Sequence, residues 1–205
     1  MSSKGMLIVV SGPSAVGKGT LCNRIIDRLE KVSLSISATT RSPRSGEIDG
    51  INYFFMNKQD FEQRIKKDDF LEWAKVYDNY YGTPASHVEQ TLNQGYDVIL
   101  EIDIQGAAQV KRRCPEGVFI FILPPSIDEL RNRIIKRGTD SLDSIELRMK
   151  SAYKELEAAF SYDYVILNDD VEKAVKRLEY IIRAERYKVA RNHDLINAIK
   201  GGRYI

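Results

Sequence analysis

Apolar and polar positions fall into two kinds of block along this chain. Short unbroken apolar runs occur at Met6-Leu-Ile-Val-Val10, Asp97-Val-Ile-Leu-Glu101, Val118-Phe-Ile-Phe-Ile-Leu123 and Tyr164-Val-Ile-Leu167. Runs of that length, rich in β-branched residues, fit strands buried on both faces. Ser33-Leu-Ser-Ile-Ser37 is a fifth, half-apolar candidate. Between the runs the period becomes helical. Leu21, Ile25, Ile26 and Leu29 share a face, 107–112 reads as a short helix, and Val171, Ala174, Val175, Leu178, Ile181 and Ile182 stand at offsets 0, 3, 4, 7, 10 and 11. Strands alternating with helices predict an α/β fold, a three-layer sandwich around a five-stranded parallel sheet.

Two stretches break this rhythm. Residues 38–83 carry Tyr53-Phe54-Phe55, Trp73, Tyr80 and Tyr81 among turn residues, and read as a small α+β insertion with short antiparallel strands. Residues 126–160 are helical and highly charged. Ser126 with Glu129 three residues on suggests a capping box, Gly138 breaks the helix, and a second helix follows. A charged helical pair set between sheet strands is a candidate lid.

Charge narrows the function. Thirty-one Lys and Arg against 29 Asp and Glu leave a formal charge of +2, which argues against a protein that coats nucleic acid. No apolar run approaches the roughly 20 residues of a membrane span. Cys22 and Cys114 are too few for a disulfide framework, and His87 and His193 add no zinc-type cluster. The expectation is a cytoplasmic protein without structural metal, nucleic acid or membrane partner.

The chemistry begins right after the first strand, at Gly12, Pro13, Ser14, Ala15, Val16, Gly17, Lys18, Gly19 and Thr20. Backbone N–H groups of such a loop, reinforced by a helix N-terminus, wrap a phosphate chain, and the lysine reaches the outer phosphates. A mere strand-to-helix turn does not explain the lysine. The general pattern puts Ser or Thr directly after it to hold Mg²⁺; here Gly19 stands there, so the hydroxyl falls to Thr20, directly or through water. Asp103, following the strand at 97–101, is the acidic group expected near Mg²⁺, with Glu101 as its neighbour on the same side of the strand. Asp103-Ile-Gln-Gly106 and Asn57-Lys-Gln-Asp60 evoke a GTPase switch, but in reversed order. Asn57 fits a helix N-cap better.

The loop, Thr39-Thr40-Arg41-Ser42-Pro43-Arg44-Ser45-Gly46-Glu47, Asn79-Tyr80-Tyr81-Gly82-Thr83, Ile102-Asp103 with Gln105-Gly106, Leu123 to Ser126, Arg137-Gly138 and Asn168 to Asp170 follow in an order that closely resembles bacterial guanylate kinases, over essentially the whole chain. The resemblance implies a P-loop core at 1–36, 88–124 and 159–205, a GMP-binding insertion at 37–87 and a lid at 125–158. It implies transfer of the γ-phosphoryl of ATP to GMP, and to dGMP, with Mg²⁺ as cofactor. Arg41 and Arg44, with Tyr53 and Tyr81, would hold the GMP phosphate, as guanidinium forks suit a phosphate. Glu72 would read guanine N1–H and N2–H₂, with Ser37, Gly82 and Thr83 completing the pocket and Asp103 beside it; Thr83-Pro84 also reads as a helix N-cap with proline at the first position. Arg133, Arg137 and Arg148 would come onto the phosphoryl in flight alongside Lys18. Asn168 falls on the adenine side.

One departure is Ala15, where the family usually has Gly; a positive φ there would cost about 1 kcal/mol. The basic run Arg183 to Arg191 reads as a solvated helix face, and the histidines as ordinary surface residues. The competing reading is a catalytically inactive guanylate-kinase-like protein-binding module, against which the intact Gly17-Lys18 and the arginine pair argue. A relative that phosphorylates a sugar phosphate is disfavoured by Ser37, Glu72 and Thr83. Homo-oligomerisation stays open at this level.

Overall fold

The computed structural model describes residues 4–76, 78–136 and 142–202, without the side chains of 142–145, 147 and 148. Its larger sheet has five parallel strands: β1 (Leu7–Ser11), β2 (Val32–Leu34), β7 (Asp97–Glu101), β8 (Val118–Leu123) and β9 (Tyr164–Leu167), in the order β2-β7-β1-β8-β9. The half-apolar run at 33–37 pairs only as far as Leu34.

Side-chain alternation along the strands builds two cores. Met6, Ile8 and Val10, with Ile99, Ile120 and Ile122, face α1 (Lys18–Ile26) and α7 (Val171–Arg186). Leu7, Val9, Val98, Leu100 and Phe119 face α3 (Ala85–Asn93) and α4 (Ile104–Arg113). Each strand residue points to one helix layer or the other, so an apolar run with no polar break is what a doubly covered sheet requires. α5 (Ile127–Lys136) and α6 (Leu142–Glu157) join the first core through Leu130, Ile134 and Ala152.

The insertion forms a second sheet from β3 (Ala38–Thr39), β4 (Phe54–Phe55), β5 (Phe70–Val76) and β6 (Asn79–Pro84), in the order β4-β3-β6-β5. Its strands are not all antiparallel: β3 and β4 run parallel, because the chain from Thr40 to Tyr53 loops fully back before pairing. α2 (Lys58–Lys66) closes it, with Phe61 stacked on Phe70 at 4.3 Å and on Tyr80 at 5.2 Å. Asn57 is its N-cap, accepting from the Asp60 amide at 2.8 Å.

The basic run from Arg183 to Arg191, which closes α7 and continues past it, is solvated at Arg183 and Lys188 but also serves two buried carboxylates. Arg186 binds the buried Asp97 through Nε at 2.8 Å and Nη2 at 2.7 Å, and Arg191 and Lys188 pair with Glu185, which is 1% exposed. Buried carboxylates demand such partners. His87 is half-buried and meets Phe54 edge-on. α8 (His193–Lys200), beyond the last helical stripe read from the sequence, buries none of its residues. No helix among the described residues is long and apolar enough to cross a membrane.

Candidate active site

All five parallel strands end on one edge of the sheet, where loops of an α/β fold gather ligands. The loop after β1 arrives there with three residues at positive φ: Gly12 (145°), Ala15 (63°) and Gly17 (100°). Glycine is forced at two of them by space as well. A Cβ on Gly12 would lie 2.5 Å from the Ile122 carbonyl oxygen, and one on Gly17 2.6 Å from Asn168 Nδ2. Ala15 accepts the strained conformation without that relief. Gly17 caps α1 with no side-chain hydrogen bond, and no acidic residue lies in the first turn. Such a helix start suits an anion.

Lys18 curls back over the loop, its Nζ donating to the carbonyls of Gly12 at 2.7 Å and Pro13 at 3.2 Å. Burial pushes its pKa down, against the opposing pull of Glu101, Glu155 and Asp103. Two side chains from outside the loop converge on one of its carbonyls. The Val16 carbonyl accepts from Asn168 Nδ2 at 2.8 Å and from Arg133 Nη1 at 3.3 Å, while Arg133 Nη2 reaches the Asn168 carbonyl at 3.2 Å. Asn168, 3% exposed, thus holds the phosphate loop itself, and its Oδ1 is buried with no hydrogen-bond partner. The Ser126 hydroxyl accepts from the Glu129 amide at 3.0 Å, but the Glu129 carboxylate turns to Arg133 Nε at 3.0 Å. Arg137 and the Arg148 side chain lie outside the described residues.

The insertion supplies a second set. Glu72 on β5 stands opposite Thr83 on β6, whose hydroxyl donates to Glu72 Oε1 at 2.6 Å. The other oxygen lies against α4: a Cβ on Gly106 would come within 2.9 Å of Oε2. Burial pushes the Glu72 carboxyl's pKa up, opposed by Thr83 and reinforced by Asp103. Thr83 is therefore not a helix cap. Pro84 occupies that position and α3 starts at Ala85, which leaves the Thr83 hydroxyl to Glu72. Gly82 is needed because a side chain there would meet the Glu72 carbonyl oxygen at 2.9 Å and Trp73 Cβ at 3.0 Å. Ser37 enters just before β3, its carbonyl accepting from Phe54 at 2.9 Å.

Arg41 forks onto Glu47 through Nη2 at 2.8 Å and Nη1 at 2.9 Å and donates to Tyr81. It lies over the Tyr53 ring at 5.5 Å, and Tyr53 meets Tyr81 edge-on at 6.2 Å. Glu47 also accepts from the Arg44 amide at 2.7 Å, and Arg41 holds the Glu47 carboxyl's pKa down. The Arg44 side chain is exposed. Arg41 and the Arg44 amide thus converge on a carboxylate to which sequence reasoning gave no role, with Tyr53 and Tyr81 set against Arg41; an acid six residues after Arg41 on the same loop was its signal.

A second missed residue is Glu155 of α6. It accepts a hydrogen bond from the Ser14 amide of the phosphate loop, and burial pushes its pKa up while Lys18 pulls it down. Met149 and Ala152, six and three residues before it, pack into the core, so Glu155 is a charge on the inward stripe of a helix.

Asp103 caps α4, one carboxylate oxygen accepting from the Gly106 amide at 2.8 Å. Thr20 is exposed on the first turn of α1. No group of three or more His, Cys, Asp or Glu among the described residues could hold a metal alone. The all-oxygen set of Thr20, Asp103 and Glu101 still fits Mg²⁺ carried by a nucleotide, which needs only one or two protein oxygens.

A family model described as guanylate kinase matches residues 4–185. A guanylate kinase of Caldanaerobacter subterraneus subsp. tengcongensis is 57% identical over 98% of this chain and 97% of its own. One from Clostridioides difficile is 52% identical over 94% of each. Among solved structures, guanylate kinase from Anaplasma phagocytophilum superposes with a TM-score of 0.73 at 34% identity, covering 93% of this chain and 90% of that one.

Proposed function

Because the chain belongs to the guanylate kinase family, we propose that it transfers the γ-phosphoryl of ATP to GMP, giving ADP and GDP, with the residues gathered at this sheet edge. The observation that carries the reading is the buried Glu72 carboxylate, fixed by Thr83 on one side and fitted against Gly106 on the other. Guanine presents paired donors at N1 and N2, whereas adenine presents an acceptor at N1. A fixed acceptor therefore rewards one base and leaves unmet polar groups with the other.

The acceptor is already an ionised phosphate, so the reaction needs no general base. One bond forms from a GMP phosphate oxygen to the γ-phosphorus as the bond to the β-bridging oxygen breaks, and charge spreads over the γ-oxygens. Lys18, Arg133, Arg137 and Arg148 neutralise that charge; Arg41, Arg44, Tyr53 and Tyr81 aim the acceptor, with Ser37 and Gly82 lining the base pocket. The phosphate loop from Gly12 to Thr20 seats the donor, and Asn168 holds that loop beside the adenine side. Thr20 and Asp103 would hold the accompanying Mg²⁺, directly or through water, and its charge would screen the phosphate oxygens. In this reading 37–87 is the GMP-binding insertion, 125–158 the lid, and dGMP a second acceptor in the cytoplasm.

The inactive-module alternative has no observation in its favour. A coupled ADP-release assay with GMP, AMP, UMP and CMP tests the reading: turnover with GMP well above the others is expected, and equal turnover with AMP overturns the role of Glu72.

A further inference from the structure

β5 is an edge strand of the second sheet, with β6 on one side of it. An edge strand leaves backbone N–H and C=O groups without a neighbouring strand to pair them. At Trp73, one residue past Glu72, a side chain takes that place. Gln109 of α4 accepts from the Trp73 amide through Oε1 at 3.3 Å and donates to the Trp73 carbonyl through Nε2 at 3.1 Å. One side-chain amide thus exchanges both bonds with one residue, as a paired strand does. The clamp joins two parts of the molecule, since α4 packs in the core and β5 belongs to the insertion.

Gln109 stands in a row along α4. Gly106, Gln109 and Arg113, at offsets 0, 3 and 7, share one helix face. Gly106 meets Glu72, Gln109 holds Trp73, and Arg113 Nη1 reaches Asp68 Oδ2 at 3.1 Å, two residues before β5. The Arg113 pair is exposed, and exposed ion pairs contribute little. Gln109 is half-buried, and it grips the residue next to the carboxylate. Thr83 fixes Glu72 within its own sheet; Gln109 fixes that sheet against the core.

We propose that Gln109 is a positioning residue for base recognition: its amide clamps Trp73 and so holds the Glu72 carboxylate where a guanine edge is read. The inference rests on the GMP reading above. Paired hydrogen bonds to a base tolerate little displacement, so a looser β5 weakens guanine binding and leaves the phosphate loop as it was.

Steady-state kinetics with GMP and AMP, and titration of ATP alone, test this. The proteins are the parent, Gln109→Met, Glu72→Gln and the double variant, each with a thermal melt. Gln109→Met keeps the length of the side chain and removes both bonds. Its KM for GMP is expected to rise about tenfold, with kcat, AMP turnover and ATP affinity within about twofold of the parent. In the Glu72→Gln background the same substitution is expected to move the GMP KM by less than about twofold, because it acts through a carboxylate already removed. An unchanged GMP KM in Gln109→Met overturns the inference, whatever the melting temperature does. So does the full tenfold rise on top of Glu72→Gln. If Gln109→Met fails to fold, Gln109→Asn, one methylene too short to make both bonds, decides on the same readings. A Glu72→Gln variant that uses GMP as well as the parent overturns the base reading itself, and the inference with it.

Discussion

Thr83 Oγ1 donates to Glu72 Oε1 at 2.6 Å across two antiparallel strands, so the hydroxyl that would cap a helix holds a carboxylate instead. Glu72→Gln puts an amide nitrogen where guanine also presents a donor. The kcat/KM for GMP is expected to fall by about 100-fold or more, mostly through KM, with little change for AMP. Steady-state assays on both acceptors check it; an unchanged GMP value places the base elsewhere.

The same burial fixes a pH dependence. Glu72 titrates above the ordinary glutamate value, chiefly through desolvation. A carboxyl raised in the folded state favours folding at pH below its unfolded pKa, and that contribution is lost as pH rises through the folded one. Glu72→Gln carries no such loss. Its melting temperature relative to the parent is therefore expected to rise between about pH 4 and neutrality, as melts across that range would show. A difference that shrinks with pH contradicts the burial argument.

Ala15 holds φ of 63°, a left-handed conformation that glycine adopts without penalty. Ala15→Gly is expected to stabilise the protein by about 1 kcal/mol, raising the melting temperature by about 2–4 °C for a chain of this size. Calorimetry decides; a lower melting temperature shows that the loop tolerates the alanine at no cost.

How far the sequence reaches is clear from these residues. The parallel strands, the phosphate loop and the Asn57 cap are local patterns, and local patterns survive folding when burial agrees with them. The positive φ at Ala15 could be anticipated because the family that the chain resembles usually has glycine at that position. What stayed hidden depends on partners far along the chain. Asn168 braces Val16 across 152 positions, Glu155 meets Ser14 from a charged helix that reads as part of a lid, and Gly106 is explained only by the Glu72 carboxylate packed against it. Thr83 misleads for the same reason, since a Thr-Pro pair looks like a cap until the strand opposite supplies a carboxylate.

Glu155 holds the Ser14 amide, which a phosphate oxygen in this loop would claim. Glu155→Ala is expected to tighten ATP binding by about tenfold, since a charge-assisted hydrogen bond and a repelling charge are both removed. Titration of ATP into the variant measures it, and weaker binding means that the carboxylate supports the loop rather than competing for it.

The central claim is that Lys18 and the loop around it carry the phosphoryl group from ATP to GMP. The most direct measurement is the rate of GDP formation from ATP and GMP by Lys18→Met, whose folding is verified by its melt. A fall in kcat of about a thousandfold or more is expected from losing a charge aimed at the transition state; GDP formed at the parental rate contradicts the account.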